Sequence, residues 1–244
     1  MMKKITVSFL LVFAITALEL PSNIKICKQN DSHVDKCLAD AIKTAISVLA
    51  KGNRELKFLP FDPLNVDFIS MKNGGALSHE FHNLTIHGLS KNVQISVKNF
   101  NKDTLSLDME AFFPQTEVIG NYTISGRILL LPIHGRGKCK IILSNMTVEF
   151  KIKNEIYDKN GEEYLRYKKI DCHIKQIDIK SHFENLLGGD PKLGKEVNKL
   201  INDNSKELFN DFRSAYEKIY KEIISRAINN IFKKIPLKKL FPYE

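Results

Sequence analysis

The 244-residue sequence lacks the short motifs that identify common enzyme classes. It contains no G-x-S-x-G nucleophile elbow, no H-E-x-x-H zinc motif and no phosphate-binding glycine loop. Each of these motifs holds a reactive group or a phosphate at a fixed spacing, so their absence argues against the enzymes that depend on them. We therefore expect a protein that is not an enzyme and that needs no cofactor.

Tryptophan is absent and cysteine is scarce, with Cys27, Cys37, Cys139 and Cys172 as the complete set. No C-x-x-C occurs and no histidine stands at ligand spacing from a cysteine pair, which argues against a zinc site. Four cysteines permit three pairings. If Cys27 pairs with Cys37, a short loop closes near the N-terminus, and Cys139 remains to pair with Cys172.

Three of the seven histidines lie close together, at His79, His82 and His87. Residues three apart on a strand point to opposite faces, so His79 and His82 are not expected to share a metal ion. We expect these side chains to lie on the surface or in turns, and we predict no metal site.

Only the N-terminus carries a long apolar run. Lys3 and Lys4 precede it, and the residues from Ile5 to Leu18 are almost entirely apolar. The run is too short for an ordinary membrane span and has the layout of a secretory signal peptide. We predict that residues 1–18 are removed and that residues 19–244 form a secreted, extracellular, disulfide-bonded glycoprotein. Its N-x-[ST] sequons are Asn30, Asn83, Asn121 and Asn145.

The remaining hydrophobic pattern changes period twice. Residues 34–50 carry apolar side chains at a spacing of three and four, which predicts a helix. Residues 66–183 alternate apolar and polar positions between turn-rich breaks, which predicts antiparallel strands connected as a meander. Residues 193–234 return to the helical spacing, and a helix of that length would be about 60 Å long. A coiled coil would explain such a length, but the preceding strands favour a curved sheet wrapped around one helix.

The net charge of +9 has several explanations. Nucleic acid is not an expected partner, because the chain is predicted to be exported and carries no aromatic and basic binding motif. A cationic cluster, Lys233, Lys234, Lys238 and Lys239, follows the last helical pattern. Positive charges near a helix C-terminus interact favourably with the helix dipole, which is one explanation for this cluster. A transient contact of the cluster with anionic membranes is the other.

Several stretches together resemble the insect juvenile hormone-binding protein/takeout family. They are FDPLNVD at 61–67, NLTIHGLS at 83–90, GRILLLPIHGRG at 126–137, NLLGGDPKLG at 185–194, IFKKIP at 231–236 and LFP at 240–242. With Cys27 and Cys37, they follow the family's order over nearly the whole mature chain. The presence of a second cysteine pair, Cys139 and Cys172, resembles the hormone-binding branch of the family, because takeout-like members commonly keep only the first pair. The chain departs from the family at Ser205, where an aromatic residue is often found.

The resemblance implies an α+β fold, in which a highly curved antiparallel sheet wraps a long C-terminal helix as one elongated domain. It also implies an internal apolar tunnel for a juvenile hormone-like terpenoid, a fatty acid or a similar ligand, carried by a haemolymph protein that we expect to be a monomer. Tyr122, Tyr216 and Tyr220 are candidates to present a hydroxyl at the edge of this space. The alternative is a lipid-transfer or defence protein of the same fold type that acts on membranes or lipopolysaccharide. The residues predicted to line the tunnel are Leu38, Ile42, Phe68, Leu107, Phe113, Leu129, Leu131, Leu208, Phe209, Phe212 and Tyr216.

Overall fold

The computed structural model describes residues 18–73, 77–128 and 131–243. The predicted signal peptide, apart from Leu18, and the predicted lining residue Leu129 lie outside these ranges. The described chain begins with a helix, continues through six strands and ends in a helical segment. This order confirms the predicted succession of helix, sheet and helix.

Helix α1 spans Val34–Leu49 and ends one residue before the predicted boundary. Val34, Cys37 and Ala41 are buried on one face, as the spacing of three and four predicts. A disulfide between Cys27 and Cys37 fixes the preceding segment to the first turn of α1, with the two Cα atoms 5.8 Å apart. The structure therefore joins Cys27 to Cys37, one of the two pairs that the sequence analysis considers.

The strands form one antiparallel sheet in the order β1-β2-β4-β5-β6, with β3 paired to β4. Their bounds are Leu64–Asn73 for β1, Leu77–His87 for β2, Gln94–Asn101 for β3, Ser106–Ile128 for β4, Leu131–Lys159 for β5 and Glu162–Phe183 for β6. Strands β3 and β2 pair with successive halves of β4, while β5 pairs with β4 throughout. The connection is therefore not the simple meander that we expected, because β2 and β3 share one edge of β4.

Strands β4, β5 and β6 are long enough that the sheet must curve. The 29 residues of β5 would extend about 95 Å if the strand were straight. Irregularities in register occur between His82 and Thr85, and between Ser144 and Thr147. They contain Asn83 and Asn145, whose φ angles of 49° and 51° lie in the left-handed region. Such bulges bend a strand and increase its twist, which lets the sheet coil around a helix.

The buried side of the two longest strands changes partway along. On β4 the buried positions are odd-numbered up to Phe113 and even-numbered from Thr116 onward. On β5 they change from odd to even at Asn145. The register of β4 with β5 keeps the same offset on both sides of Pro114 and Asn145. This switch divides the core between sheet and C-terminal helix into two apolar clusters, and Tyr216 contacts both.

The helical segment predicted at 193–234 consists of two helices. Helix α2 spans Pro191–Asp203 and helix α3 spans Ser205–Phe232, with Asn204 between them at φ −108° and ψ 17°. The side-chain Nδ2 of Asn204 donates to the carbonyl of Leu200 at 2.8 Å, the kind of local bond by which asparagine competes with helix geometry. The single helix of about 40 residues is therefore corrected to a long α3 of 28 residues preceded by a shorter α2.

Helix α3 packs against the first and the last strand in the sheet order, β1 and β6. Side chains of α2 and α3 also bind the backbone of β6: the Asn202 carbonyl oxygen accepts from Ser181 N at 2.7 Å, and Glu217 accepts from Ile174 N at 3.0 Å. A short helix α4, Leu237–Leu240, follows and packs near the disulfide. Among the described residues, no helix combines the length and the apolar character needed to cross a membrane.

Candidate functional site

A cavity lies where α3 closes the open side of the curved sheet. Every strand except β3 contributes to its wall, as do α2 and α3. The wall is mostly aliphatic and aromatic. Its described lining residues are Ile69, Met71, His79, Phe81, Leu84, Ile86, Leu89, Val118, Ile128, Ile141, Leu143, Ile179, Ser181, Phe183, Ile201, Ser205, Leu208, Phe209, Phe212, Tyr216, Ile219, Tyr220 and Ile223.

The cavity is too large to be a packing defect. The space between its walls is about 1140 Å³ when the part open to solvent is included. The smaller volume that the centres of water molecules can occupy is about 130 Å³. A cavity that holds a single water molecule needs only roughly 10–15 Å³ of this smaller volume. Close-packed interiors leave few voids larger than one water, so this cavity has room for an apolar ligand.

His79 is the most distinctive polar residue in the wall. It lies on β2, opposite Met71 of β1 and Ile124 of β4, and its ring meets the Phe212 ring of α3 with centroids 4.8 Å apart. Its Nε2 atom is buried and has no hydrogen-bond partner among the described residues. Burial among these apolar neighbours lowers the pKa of His79 to about 4, so the ring is neutral at physiological pH. The expected surface or turn position of His79 was wrong.

Two of the three candidate tyrosines line the cavity. Tyr216 and Tyr220 stand one turn apart on α3, and burial raises the pKa of Tyr216 to about 12 and that of Tyr220 further. Tyr122 lies in the core beside Phe183, and its hydroxyl donates to the carbonyl of Glu184. The two helix tyrosines therefore present neutral hydroxyl groups in or beside the cavity, while Tyr122 has a structural bond.

Ser205 and Ser181 supply the other hydroxyls of the wall. Ser205 is the first residue of α3, at the position where the sequence departs from the family that it resembles. A serine there fills less space than an aromatic ring, so it leaves room at this end of the helix. The Ser181 hydroxyl lies 3.4 Å from the Asn202 carbonyl oxygen, to which it donates.

Four of the predicted lining residues meet at the cavity: Leu208, Phe209, Phe212 and Tyr216, all on α3. Three others belong to the neighbouring apolar cluster that also includes Phe209 and Tyr216, namely Ile42, Leu107 and Phe113. Helix α1 contributes no residue to the described wall. The predicted residues that the structure places at this cavity are thus all on the helix side, and no predicted sheet residue lies in the described wall.

The remaining predicted lining residues lie elsewhere. Phe68 is 53% exposed, and its ring lies tilted beside the ring of His82 on the outer face of the sheet. Ile69 and Met71 of the same strand are the residues that face inward. Leu131 is 39% exposed at the start of β5. Leu38 packs in the cluster around the disulfide. Alternation along β1 would have pointed to Ile69 and Met71 if the opposite face of the strand had been chosen.

The expected bond between Cys139 and Cys172 is wrong. Both thiols are free. In the register of β5 with β6, Cys139 lies opposite Phe183, whereas Cys172 lies opposite Phe150. Eleven positions along β5 separate these two pairs, which is about 36 Å of strand and far beyond the reach of a disulfide.

The sequon asparagines Asn30, Asn83, Asn121 and Asn145 are all exposed. Within the described ranges, no group of three or more His, Cys, Asp and Glu side chains is arranged to hold a metal ion.

Comparison with known proteins gives a consistent match. The family described as "Haemolymph juvenile hormone binding protein (JHBP)" matches residues 7–242. Circadian clock-controlled protein daywake of Drosophila yakuba is 25% identical over 239 residues, which is 92% of this chain and 89% of that protein. The Drosophila melanogaster daywake is 24% identical over 237 residues, with the same coverage. The crystal structure of Epiphyas postvittana Takeout 1 superposes with a TM-score of 0.78 at 21% identity, over 89% of this chain and 99% of that one.

Proposed function

The chain belongs to the haemolymph juvenile hormone binding protein family, and we propose that it is a secreted carrier that holds one small hydrophobic ligand between α3 and the sheet. The ligand would be a juvenile hormone-like terpenoid, a fatty acid or a molecule of similar size. The observation that carries this proposal is the apolar cavity, whose described wall contains no charged side chain at neutral pH.

Burial against the apolar wall can supply enough free energy to bind a small hydrophobic ligand reversibly. A ligand of sesquiterpene size buries roughly 300 Å² of apolar surface, which contributes about 7–8 kcal/mol at 25 cal/mol per Å² before association costs. A net free energy near that value corresponds to a dissociation constant on the order of micromolar. Carriage needs this reversible affinity and no covalent step.

Export is supported by the Cys27–Cys37 disulfide, since such bonds persist mainly in oxidising compartments. The exposure of Asn30, Asn83, Asn121 and Asn145 leaves each sequon accessible to glycosylation. Secretion and glycosylation at these asparagines are part of the proposal.

The proposal is tested by titrating the delipidated protein with the neutral apolar fluorophore N-phenyl-1-naphthylamine. We expect saturable fluorescence enhancement with one site per chain and a dissociation constant on the order of micromolar. Addition of a long-chain alcohol should displace the fluorophore and reverse the fluorescence enhancement. Absence of saturable binding by a folded protein would overturn the carrier function.

A membrane-acting role predicts a different result. Anionic liposomes would then co-sediment with the protein at low salt and release it at high salt, without capture of the fluorophore. The carrier proposal predicts fluorophore capture that is insensitive to salt, because the cavity wall is uncharged.

A further inference from the structure

His79 places a single strong hydrogen-bonding atom in an otherwise apolar part of the cavity. Its Nε2 is buried without a partner, and its neighbours across the sheet and on α3 are Met71, Ile124 and Phe212. A buried polar atom without a partner is unfavourable, and native proteins retain such atoms rarely. A ligand atom that bonds to Nε2 would satisfy it.

The described wall offers no cationic side chain to a negatively charged ligand. Among the described lining residues there is no lysine or arginine, and the polar groups are hydroxyls and one imidazole. An ionised carboxylate that enters such a space loses its hydration and gains no counter-ion, so it binds only after taking up a proton. An ester, ketone or alcohol loses much less on entry.

We propose that the cavity selects uncharged lipids that carry one oxygen-bearing head group, and that this oxygen forms a hydrogen bond with Nε2 of His79. This inference rests on the proposed carrier function and narrows its ligand class, since it disfavours ionised fatty acids. His79 is then a residue that determines specificity, while the aliphatic and aromatic wall provides most of the affinity.

The charge state of the imidazole agrees with this assignment. Burial lowers the pKa of His79 to about 4, so the ring carries no positive charge that would attract a carboxylate at neutral pH. A neutral imidazole offers one N–H donor and one acceptor nitrogen, and either suits a hydroxyl head group. The N–H also suits a carbonyl or ester oxygen.

The test uses ligands of equal chain length that differ only in the head group. Tetradecanol, methyl tetradecanoate and tetradecanoate compete with N-phenyl-1-naphthylamine at pH 7.4 for the wild-type protein, His79→Phe and His79→Gln. The matched control is His82→Phe, on the same strand but facing outward beside Phe68. Circular dichroism establishes that each variant is folded.

In the wild type, the ester and the alcohol should bind on the order of 1000-fold more tightly than the carboxylate, because the acid must bind protonated and its pKa lies about three units below pH 7.4. His79→Phe should reduce the affinity for tetradecanol relative to that for the fluorophore about tenfold. His79→Gln, which retains a hydrogen-bonding group, should restore part of that ratio, and His82→Phe should keep the wild-type ratio.

Equal affinity of the wild type for the carboxylate and the alcohol would overturn the inference, even if His79→Phe does not fold. A proportional loss of fluorophore and alcohol affinity in His79→Phe would also overturn the assignment of His79, since it would indicate a purely structural role. In both cases fluorophore capture by the wild type would leave the carrier function intact. Failure of the wild type to bind any of these molecules would overturn both proposals.

Discussion

The side-chain amide of Asn198 on α2 replaces a neighbouring strand for Phe183 of β6. Its carbonyl oxygen accepts from Phe183 N at 2.8 Å, and its Nδ2 donates to Phe183 O at 2.8 Å. Asn202, one turn later, makes the same two contacts with Ser181. Strand β6 is at the edge of the sheet, so these amides satisfy backbone groups that otherwise lack a strand partner.

Replacement of Asn198 by alanine should destabilise the protein. Both hydrogen bonds to Phe183 are lost, and the backbone groups that they satisfied are buried. We expect the free energy of unfolding, measured by urea denaturation, to fall by about 2–4 kcal/mol. Lys199→Ala, at the exposed neighbouring position, should change it by less than about 0.5 kcal/mol. Equal effects of the two substitutions would contradict this role.

His79 should make stability depend on pH. Its pKa is lowered from 6.5 in the unfolded chain to about 4 in the folded protein, so the unfolded chain binds more protons between these values. The stability associated with neutral His79 is therefore complete above pH 6.5 and is lost as the pH falls toward 4. Relative to His79→Phe, the wild type should lose about 3 kcal/mol between pH 7 and pH 4. Parallel stability curves for the two proteins would show that His79 is not buried as described.

A substitution that fills the cavity should weaken ligand binding without a comparable change in the free energy of unfolding. Leu208→Trp places a larger side chain into the space beside Phe212, so fluorophore affinity should fall at least about tenfold, while the free energy of unfolding changes by less than about 2 kcal/mol. Leu193→Trp makes the same exchange at a leucine of α2 that is 51% exposed and outside the cavity wall. It should bind the fluorophore like the wild type. A similar loss in both variants would place the binding site elsewhere.

Thiol counting tests the disulfide assignment. Alkylation of the denatured protein without a reductant should label two thiols, Cys139 and Cys172, and prior reduction should raise the count to four. In the folded protein both should react slowly, because burial raises the pKa of Cys139 to about 11 and that of Cys172 to about 12. Absence of label before reduction would show that the two cysteines are bonded after all.

The sequence predicts the elements of this fold well, because each has a clear hydrophobic period. The helix predicted at 34–50 is α1, and the alternating region contains the strands of the sheet. The family resemblance supplied the arrangement of sheet around helix, which periodicity alone does not provide. The break at Asn204 was missed because Ile201 and Leu208, the apolar positions on its two sides, are two helical turns apart and keep the same phase, although the residues between them are polar.

The sheet side of the cavity was harder to predict, for a geometric reason. Strict alternation assigns one face to a strand, but β4 and β5 change their buried side near Pro114 and Asn145. The pairing of Met71 with His79 and of Ile69 with Phe81 depends on register, which no local pattern gives. The same dependence on register explains the wrong pairing of Cys139 with Cys172, since elimination ignores the distance between them.

The most direct test of the central claim is a crystal structure of the protein with methyl 12-bromododecanoate, using the anomalous signal of bromine to locate the ligand. We predict a bromine peak inside the cavity between α3 and the inner faces of β1 and β2, with the ester oxygen within hydrogen-bond distance of His79 Nε2. A peak only on the outer surface, or no peak in crystals grown at a ligand concentration that saturates the protein in solution, would contradict an internal carrier site.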